Sequence, residues 1–252
     1  MVGHTKKKLI SSLSQKKYRD KHGLFVAEGP KLINDLLISR MQPELIFTTD
    51  ASQISPEASN SIIEVITPQE LQKLSFLKTP QNVLGVFKKP FPKFRFGQHS
   101  SQLSLCLDGI QDPGNLGTII RLADWFDIRT IVCSEDTADV FNPKVVQASM
   151  GAIARVKIIY TDLPDFCQKS VTELNMQVFG TFMDGNNIYT MDLPSSGLII
   201  MGNEGRGIRP ETAKLVTQRI TVPSFSDGGM ESLNVGIAAA IVCSEFRRGS
   251  SL

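Results

Sequence analysis

The chain has 252 residues, 41% of them hydrophobic and 21% charged, with a formal net charge of +2. Those values suit a globular protein of one large or two smaller domains. They hold no apolar run long enough to span a bilayer, and the basic, polar N-terminus does not read as a secretory signal.

The charge is uneven. Residues 1–99 hold 15 Lys and Arg against 8 Asp and Glu, a balance of +7, while residues 100–252 hold 12 against 17, a balance of −5. A polyanionic partner met by the N-terminal part fits this division, as does a solubilising surface. Cys106, Cys133, Cys167 and Cys243 form no CxxC pair. They predict reduced, mostly buried thiols in a cytoplasm, and no zinc cluster.

In chain order, residues 1–23 carry Lys6, Lys7, Lys8, Lys16, Lys17, Arg19 and Lys21 against Asp20 alone. Leu9, Ile10, Leu13 and Tyr18 supply one face of a short helix, and the cations suit phosphate contact or a solvated face. Phe25–Ala27 reads as a strand, with Ala27-Glu28-Gly29 as its turn. Pro30 opens a helix to about Ser39. Strands follow at 44–48, 62–66 and 83–87, with a Thr67-Pro-Gln-Glu70 capping box between the last two. This is a small alternating domain. Residues 88–101 turn polar and Pro-rich, which marks a linker, and Phe91, Phe94 and Phe96 suit base stacking or domain anchoring.

Leu103–Leu107 is an apolar strand ending in Asp108-Gly109. The Pro113-Gly-Asn cluster makes a loop, with Asn115 a candidate N-cap for a helix to about Phe126. Arg121 shares a helical stripe with Gly117, Thr118 and Trp125. A strand at 129–133, a helix from Asn142-Pro143 to Ser149, and a strand at 156–159 follow. A helix at 165–174 and strands at 178–182 and 198–201 come next. The last strand runs into Gly202-Asn203-Glu204-Gly205-Arg206-Gly207, glycines that permit positive φ and close approach of a ligand. Pro210 starts a helix and 219–222 is a strand. Ser232 is a candidate N-cap for a final helix at 234–246, apolar or small nearly all round and so expected to be buried.

Three polar clusters thus stand at strand ends: Asn115 with Arg121, Asn203 with Glu204 and Arg206, and Ser232 with Asn234. No GxGxxG or GxxxxGK[ST] competes. His4, His22 and His99 all precede residue 100, so the second half has no histidine base or metal set.

In order and spacing the clusters resemble the three motifs of the SpoU/TrmH family of SPOUT methyltransferases. Asp108-Gly-Ile-Gln-Asp-Pro-Gly-Asn115-Leu-Gly-Thr-Ile-Ile-Arg121 is similar to motif one. Ile200-Met-Gly-Asn-Glu204-Gly-Arg-Gly-Ile is similar to motif two, and Val222-Pro with Glu231-Ser-Leu-Asn234-Val to motif three. The 223–232 loop is about two residues longer than is usual there, and Val222 stands where isoleucine is common. Residues 1–95 resemble the small substrate-binding domain of many members.

The resemblance implies an α/β fold. A small α/β RNA-binding domain at 1–95 and a linker at 96–102 precede a trefoil-knotted SPOUT domain at 103–252 with a mostly parallel sheet. Chain threading of that kind is rare enough that the residues alone would not suggest it. It implies a cytoplasmic homodimer, with no membrane partner and no metal. The activity implied is transfer of a methyl group from S-adenosyl-L-methionine to a ribose 2′-hydroxyl of RNA, rRNA favoured over tRNA. Gly202, Val222, Leu233 and Thr181 would hold the cofactor. Arg121, Asn115, Glu204, Asn234 and Ser232 match the catalytic and substrate positions. A non-catalytic RNA-binding or assembly factor on the same fold, and a base-directed RNA methyltransferase, are the competing expectations.

Overall fold

The computed structural model describes residues 2–57, 62–90, 94–226 and 232–249. Its first elements are α1 His4–Ser12, α2 Lys16–His22, β1 Leu24–Glu28, α3 Pro30–Ile38, β2 Pro43–Thr48, β3 Ile63–Val65, α4 Pro68–Gln72 and β4 Val83–Lys88. There follow β5 Leu103–Asp108, α5 Pro113–Trp125, β6 Thr130–Ser134, α6 Pro143–Ser149, β7 Lys157–Thr161 and α7 Leu163–Leu174. The chain closes with β8 Val178–Asn187, β9 Gly197–Gly202, α8 Pro210–Ala213, β10 Gln218–Thr221 and α9 Val235–Arg247. It divides into two compact units, Met1–Phe91 with Asp139–Arg155, and Pro92–Ala138 with Val156–Leu252.

The first unit has a four-stranded sheet in the order β1-β4-β2-β3. β4 runs antiparallel to both β1 and β2, and β3 is parallel to β2. Leu13, Phe47, Leu84 and Val86 form part of its core. The Thr67–Glu70 capping box is formed in full. Residues 4–22 make two helices rather than one, because Gln15 is extended (φ −103°, ψ 134°) and starts a new one.

Arg19 departs from the expectation that the whole basic run faces solvent. It is only 2% exposed. Its Nη1 donates to the carbonyls of Leu13 and Ser14, both at 2.8 Å, and its Nε and Nη2 donate to Asp139 Oδ2 at 2.9 and 2.7 Å. A guanidinium with that many donors can satisfy a helix–helix turn and a carboxylate together. Asp139 begins the later segment of this unit, where Phe141 packs on Phe25 with ring centroids 5.0 Å apart. Glu28, at the end of β1, is also buried. Its carboxylate accepts from Ser75 Oγ at 2.5 Å and from Phe76 N–H at 2.7 Å, and burial pushes its pKa up. The Ala27-Glu28-Gly29 turn is thus a structural anchor.

The second unit has a six-stranded sheet, parallel throughout, in the order β10-β8-β9-β5-β6-β7. The chain goes one way from β5 to β6 and β7, and then builds β8, β9 and β10 on the other side. The switch therefore lies between β5 and β9, every residue of which is buried. In open α/β sheets, ligands bind beyond the strand ends at such a point.

Four local details differ from the sequence expectation. Asp112, not Asn115, caps α5 by accepting from Asn115 N–H at 2.8 Å, since Pro113 already presets the first turn. Asn234, not Ser232, caps α9. α9 is not buried all round, for Ile237 is 56% exposed. β8 also runs longer than expected, and its register against β10 skips from Gly180 to Asn186. Phe94 and Phe96 pack on His99 and on Phe166 of α7, so within this unit they fill an aromatic cluster. Phe91 lies outside the described residues. Among the described residues, no helix is long and apolar enough to cross a membrane, and no group of His, Cys, Asp and Glu could hold a metal ion.

Candidate active site at the ends of the central strands

β5 and β9 end side by side, with Asp108 paired to Gly202. Beyond Gly202 the chain makes a closed hairpin. Asn203 N–H donates to Gly207 O at 3.0 Å and Gly207 N–H returns to Asn203 O at 2.8 Å. The Asn203 side chain fixes the interior of this turn. Its Oδ1 accepts from the N–H groups of Gly205 (3.0 Å) and Arg206 (3.1 Å), while its Nδ2 donates to Gly109 O at 2.8 Å. A Cβ on Gly202 would lie 2.3 Å from the Gly207 carbonyl carbon, so only glycine lets the hairpin close this tightly.

An ion pair with a buried carboxylate locks the far side of the hairpin. Asp108 is 1% exposed. Its Oδ1 accepts from Arg209 Nε at 2.6 Å and Nη2 at 2.5 Å, and its Oδ2 from Arg209 N–H at 2.9 Å. Burial works against the Arg209 charge, but Asp108, then Asp136 and Glu211, raise its pKa on balance. Sequence reading did not single out Arg209. Its partner lies 101 residues away, and only the adjacency of β5 and β9 joins them.

Asn115, Glu204 and Asn234 come together in one directed chain. Asn234 Oδ1 accepts from Gly236 N–H at 2.9 Å and Ile237 N–H at 3.3 Å as the α9 cap. That commits its Nδ2 to donating, which it does to Asn115 Oδ1 at 3.0 Å. Asn115 must then donate in turn, and its Nδ2 reaches Glu204 Oε1 at 2.7 Å. A carboxylate is acceptor-only, so the chain ends correctly there.

Arg121 and Ser232 stand outside this chain. Arg121 is exposed on α5 and makes no hydrogen bond or ion pair among the described residues. It does not pair with Glu204. Trp125, one turn further on, is 82% exposed. Ser232 is exposed and lies on the wall of a neighbouring cavity.

That cavity has a volume of about 630 Å³. Gly202, Val222, Leu233 and Thr181 all line it, together with Glu204 and Ser232. Met201, Ile220 and Val242 add an apolar wall. Thr181 Oγ1 is occupied by Ile200 O at 3.0 Å. Size and lining are those of a small-molecule site with a few fixed polar groups. They suit S-adenosylmethionine, whose adenine needs apolar walls and backbone partners and whose sulfonium favours a nearby carboxylate. Ser224 and Ser226 also line the cavity, and residues 227–231 of the same loop lie outside the described residues.

Comparison with known proteins shows the family. Residues 102–244 match the SpoU rRNA Methylase family model, and residues 5–85 match an MRM3-like substrate binding domain. The 23S rRNA guanosine 2′-O-methyltransferase RlmP of Bacillus subtilis is 30% identical, with 93% of each chain covered. A TrmH-family protein from Porphyromonas gingivalis is 38% identical and superposes with a TM-score of 0.88, over 99% of this chain and 100% of the other. The AdoMet-bound rRNA methyltransferase from Sinorhizobium meliloti is 28% identical, with a TM-score of 0.87 over 100% and 98%.

Proposed function

We propose that this chain, which belongs to the SpoU rRNA methylase family, moves a methyl group from S-adenosylmethionine to a ribose 2′-hydroxyl of ribosomal RNA. The observation that carries this reading is the Asn115–Glu204 hydrogen bond, 2.7 Å long, at the mouth of a cavity that Glu204 itself lines. Bound there, S-adenosylmethionine supplies a methyl carbon made electrophilic by its sulfonium.

The chain's own residues do the rest. Gly202, Val222 and Leu233 hold the cofactor, largely through backbone groups, and Thr181 closes the wall beside them. A hydroxyl is a weak nucleophile until its proton leaves. A guanidinium is a poor resting base, so Arg121 is not the group that takes the proton. As an exposed cation with no internal partner, it orients the neighbouring phosphate and stabilises the developing alkoxide. Asn115 occupies Glu204 Oε1, and Oε2 is left to take the hydroxyl proton. Asn115, with its oxygen on Asn234 and its nitrogen on Glu204, holds that carboxylate in place for the ribose, with Ser232 at the cavity rim. Asn234 acts at one remove, since both ends of its amide are already used.

The working form is a homodimer. Trp125 on α5 and Ile237 on α9 are 82% and 56% exposed, and such residues belong under a partner. The cytoplasm keeps the four buried thiols reduced. The C-terminal segment is threaded as a trefoil knot, a reading that rests on family membership. The first unit binds the RNA.

The test combines calorimetry with S-adenosylmethionine and transfer of labelled methyl to unmodified ribosomal RNA. Arg121→Ala should keep cofactor binding and lose most turnover. Near-normal turnover in that variant would sink the role given to Arg121. Failure of the wild-type protein to bind the cofactor would favour a non-catalytic RNA-binding factor.

A further inference from the structure

The basic N-terminal run separates into cations with internal duties and cations without them. Arg19 is buried on Asp139, and Lys6 pairs with Glu64. Lys89 pairs with Asp20 at 2.6 Å, the one acid on α2, and that contact holds the Asp20 carboxyl below its usual range. Lys16, Lys17 and Lys21 remain on the exposed surface of α2 with no ion pair among the described residues. Tyr18 and His22 lie one turn apart on the same helix, stacked with centroids 6.5 Å apart and planes 17° apart. Lys17 Nζ stands 6.0 Å from the Tyr18 ring centroid.

We infer that α2 is an RNA-docking surface on which Lys16, Lys17 and Lys21 meet phosphates and the Tyr18–His22 stack receives an unpaired base. The inference rests on the methyltransferase reading and adds the place and manner of substrate capture. Three observations favour a nucleic acid over a merely solvated face. The surface is rigid, because Arg19 ties α2 to the preceding turn through two hydrogen bonds and to Asp139 through two more. Its only acid is neutralised from inside the fold. Its cations alternate with flat rings, the combination that tracks a backbone while stacking bases.

An unpaired strand is the form that suits it. A duplex hides its base faces, whereas single-stranded segments offer them to aromatic side chains. Charge neutralisation releases counterions, so affinity should fall steeply with salt.

The experiment uses the full chain and a fluorescent 20-nucleotide single-stranded RNA of mixed sequence, with its duplex as control. Binding is followed by anisotropy across a salt series. The triple variant K16Q/K17Q/K21Q should reduce the slope of log affinity against log salt by about 2, near 0.7 for each lost phosphate contact. Tyr18→Ala should weaken single-strand binding about tenfold at unchanged slope and leave duplex binding alone, while Tyr18→Phe keeps the wild-type value. An unchanged slope in the triple variant overturns the surface. Unchanged affinity in Tyr18→Ala overturns the base platform. Calorimetry with S-adenosylmethionine on the same preparations keeps the two readings apart. Cofactor binding with no effect of the α2 variants rejects this surface alone, and absent cofactor binding in the wild type rejects the methyltransferase reading.

Discussion

Asn115 donates its side-chain amide to Glu204 at 2.7 Å, across 89 residues of sequence, and Asn234, by donating to its oxygen, fixes the amide in that orientation. The orientation of Asn234 is in turn set by the first turn of α9, whose N–H groups its Oδ1 accepts. Helix capping and carboxylate placement are therefore one network. Asn234→Asp keeps the capping oxygen and loses the donor. Its melting temperature should stay close to wild type, while turnover falls about tenfold, the worth of one internal hydrogen bond. Asn234→Ala should lose both, with about 1 kcal/mol of stability from the cap. Steady-state kinetics beside thermal unfolding checks this. Equal turnover in Asn234→Asp and wild type would remove Asn234 from the catalytic network.

Gly202→Ala tests the hairpin. The added methyl would meet backbone atoms of Gly207 and Ile208 at 2.3 and 2.4 Å, and backbone cannot swing aside like a side chain. Overpacking of this kind costs about 1–3 kcal/mol, and here it opens the cavity wall. Cofactor affinity by calorimetry should drop at least as far as stability does. Gly205→Ala is the control, since its Cβ would meet nothing closer than 3.7 Å.

The Arg19–Asp139 pair should matter to folding and not to chemistry. Side chains 2% and 10% exposed leave either partner charged and buried if the other is removed. Breaking such a pair costs about 3–5 kcal/mol. Urea denaturation of Arg19→Ala and Asp139→Ala should show losses in that range, with S-adenosylmethionine affinity preserved. A loss under 1 kcal/mol would mean that water replaces the missing partner.

His99 predicts a pH dependence with a definite sign. Its ring is 1% exposed, stacks on Phe166 with centroids 4.9 Å apart, and leaves Nδ1 without a hydrogen-bond partner. Burial lowers its pKa from the ordinary 6.5. The unfolded chain therefore takes up the proton first. The stability contributed by a neutral His99 is complete above pH 6.5 and is lost as pH falls toward the folded value. Melting temperature followed from neutral pH downward should decline through this window, and His99→Phe should flatten the decline. An unchanged profile in His99→Phe would place the dependence elsewhere.

Much of this molecule was legible from residue pattern. Strands 103–107 and 198–201 are apolar but for Ser104 because both their faces are covered, and glycine density marked the hairpin after the second. The three polar clusters carried the family. The Asp108–Arg209 lock was not legible, since a strand-end Asp and a loop Arg are individually commonplace and only pairing of β5 with β9 unites them. Nor was the withdrawal of Arg19. A cation within a lysine-rich run looks solvent-facing until its carboxylate, 120 residues on, is in view. The cap assignments at Asn115 and Ser232 failed for a local reason. Each time a second capping residue stood two or three positions away, and the first-turn backbone chose between them.

The segment Asp139–Arg155 belongs by packing to the N-terminal unit although it lies between two strands of the other sheet. A single cut in the linker therefore does not separate the two parts. A gene fusion cut in the linker would transplant a small domain without the carboxylate that Arg19 needs, and would leave its donor with an orphaned helix. Exchange of the N-terminal domain alone would leave Asp139 without its guanidinium, so residues 139–155 are expected to change together with α2 across relatives.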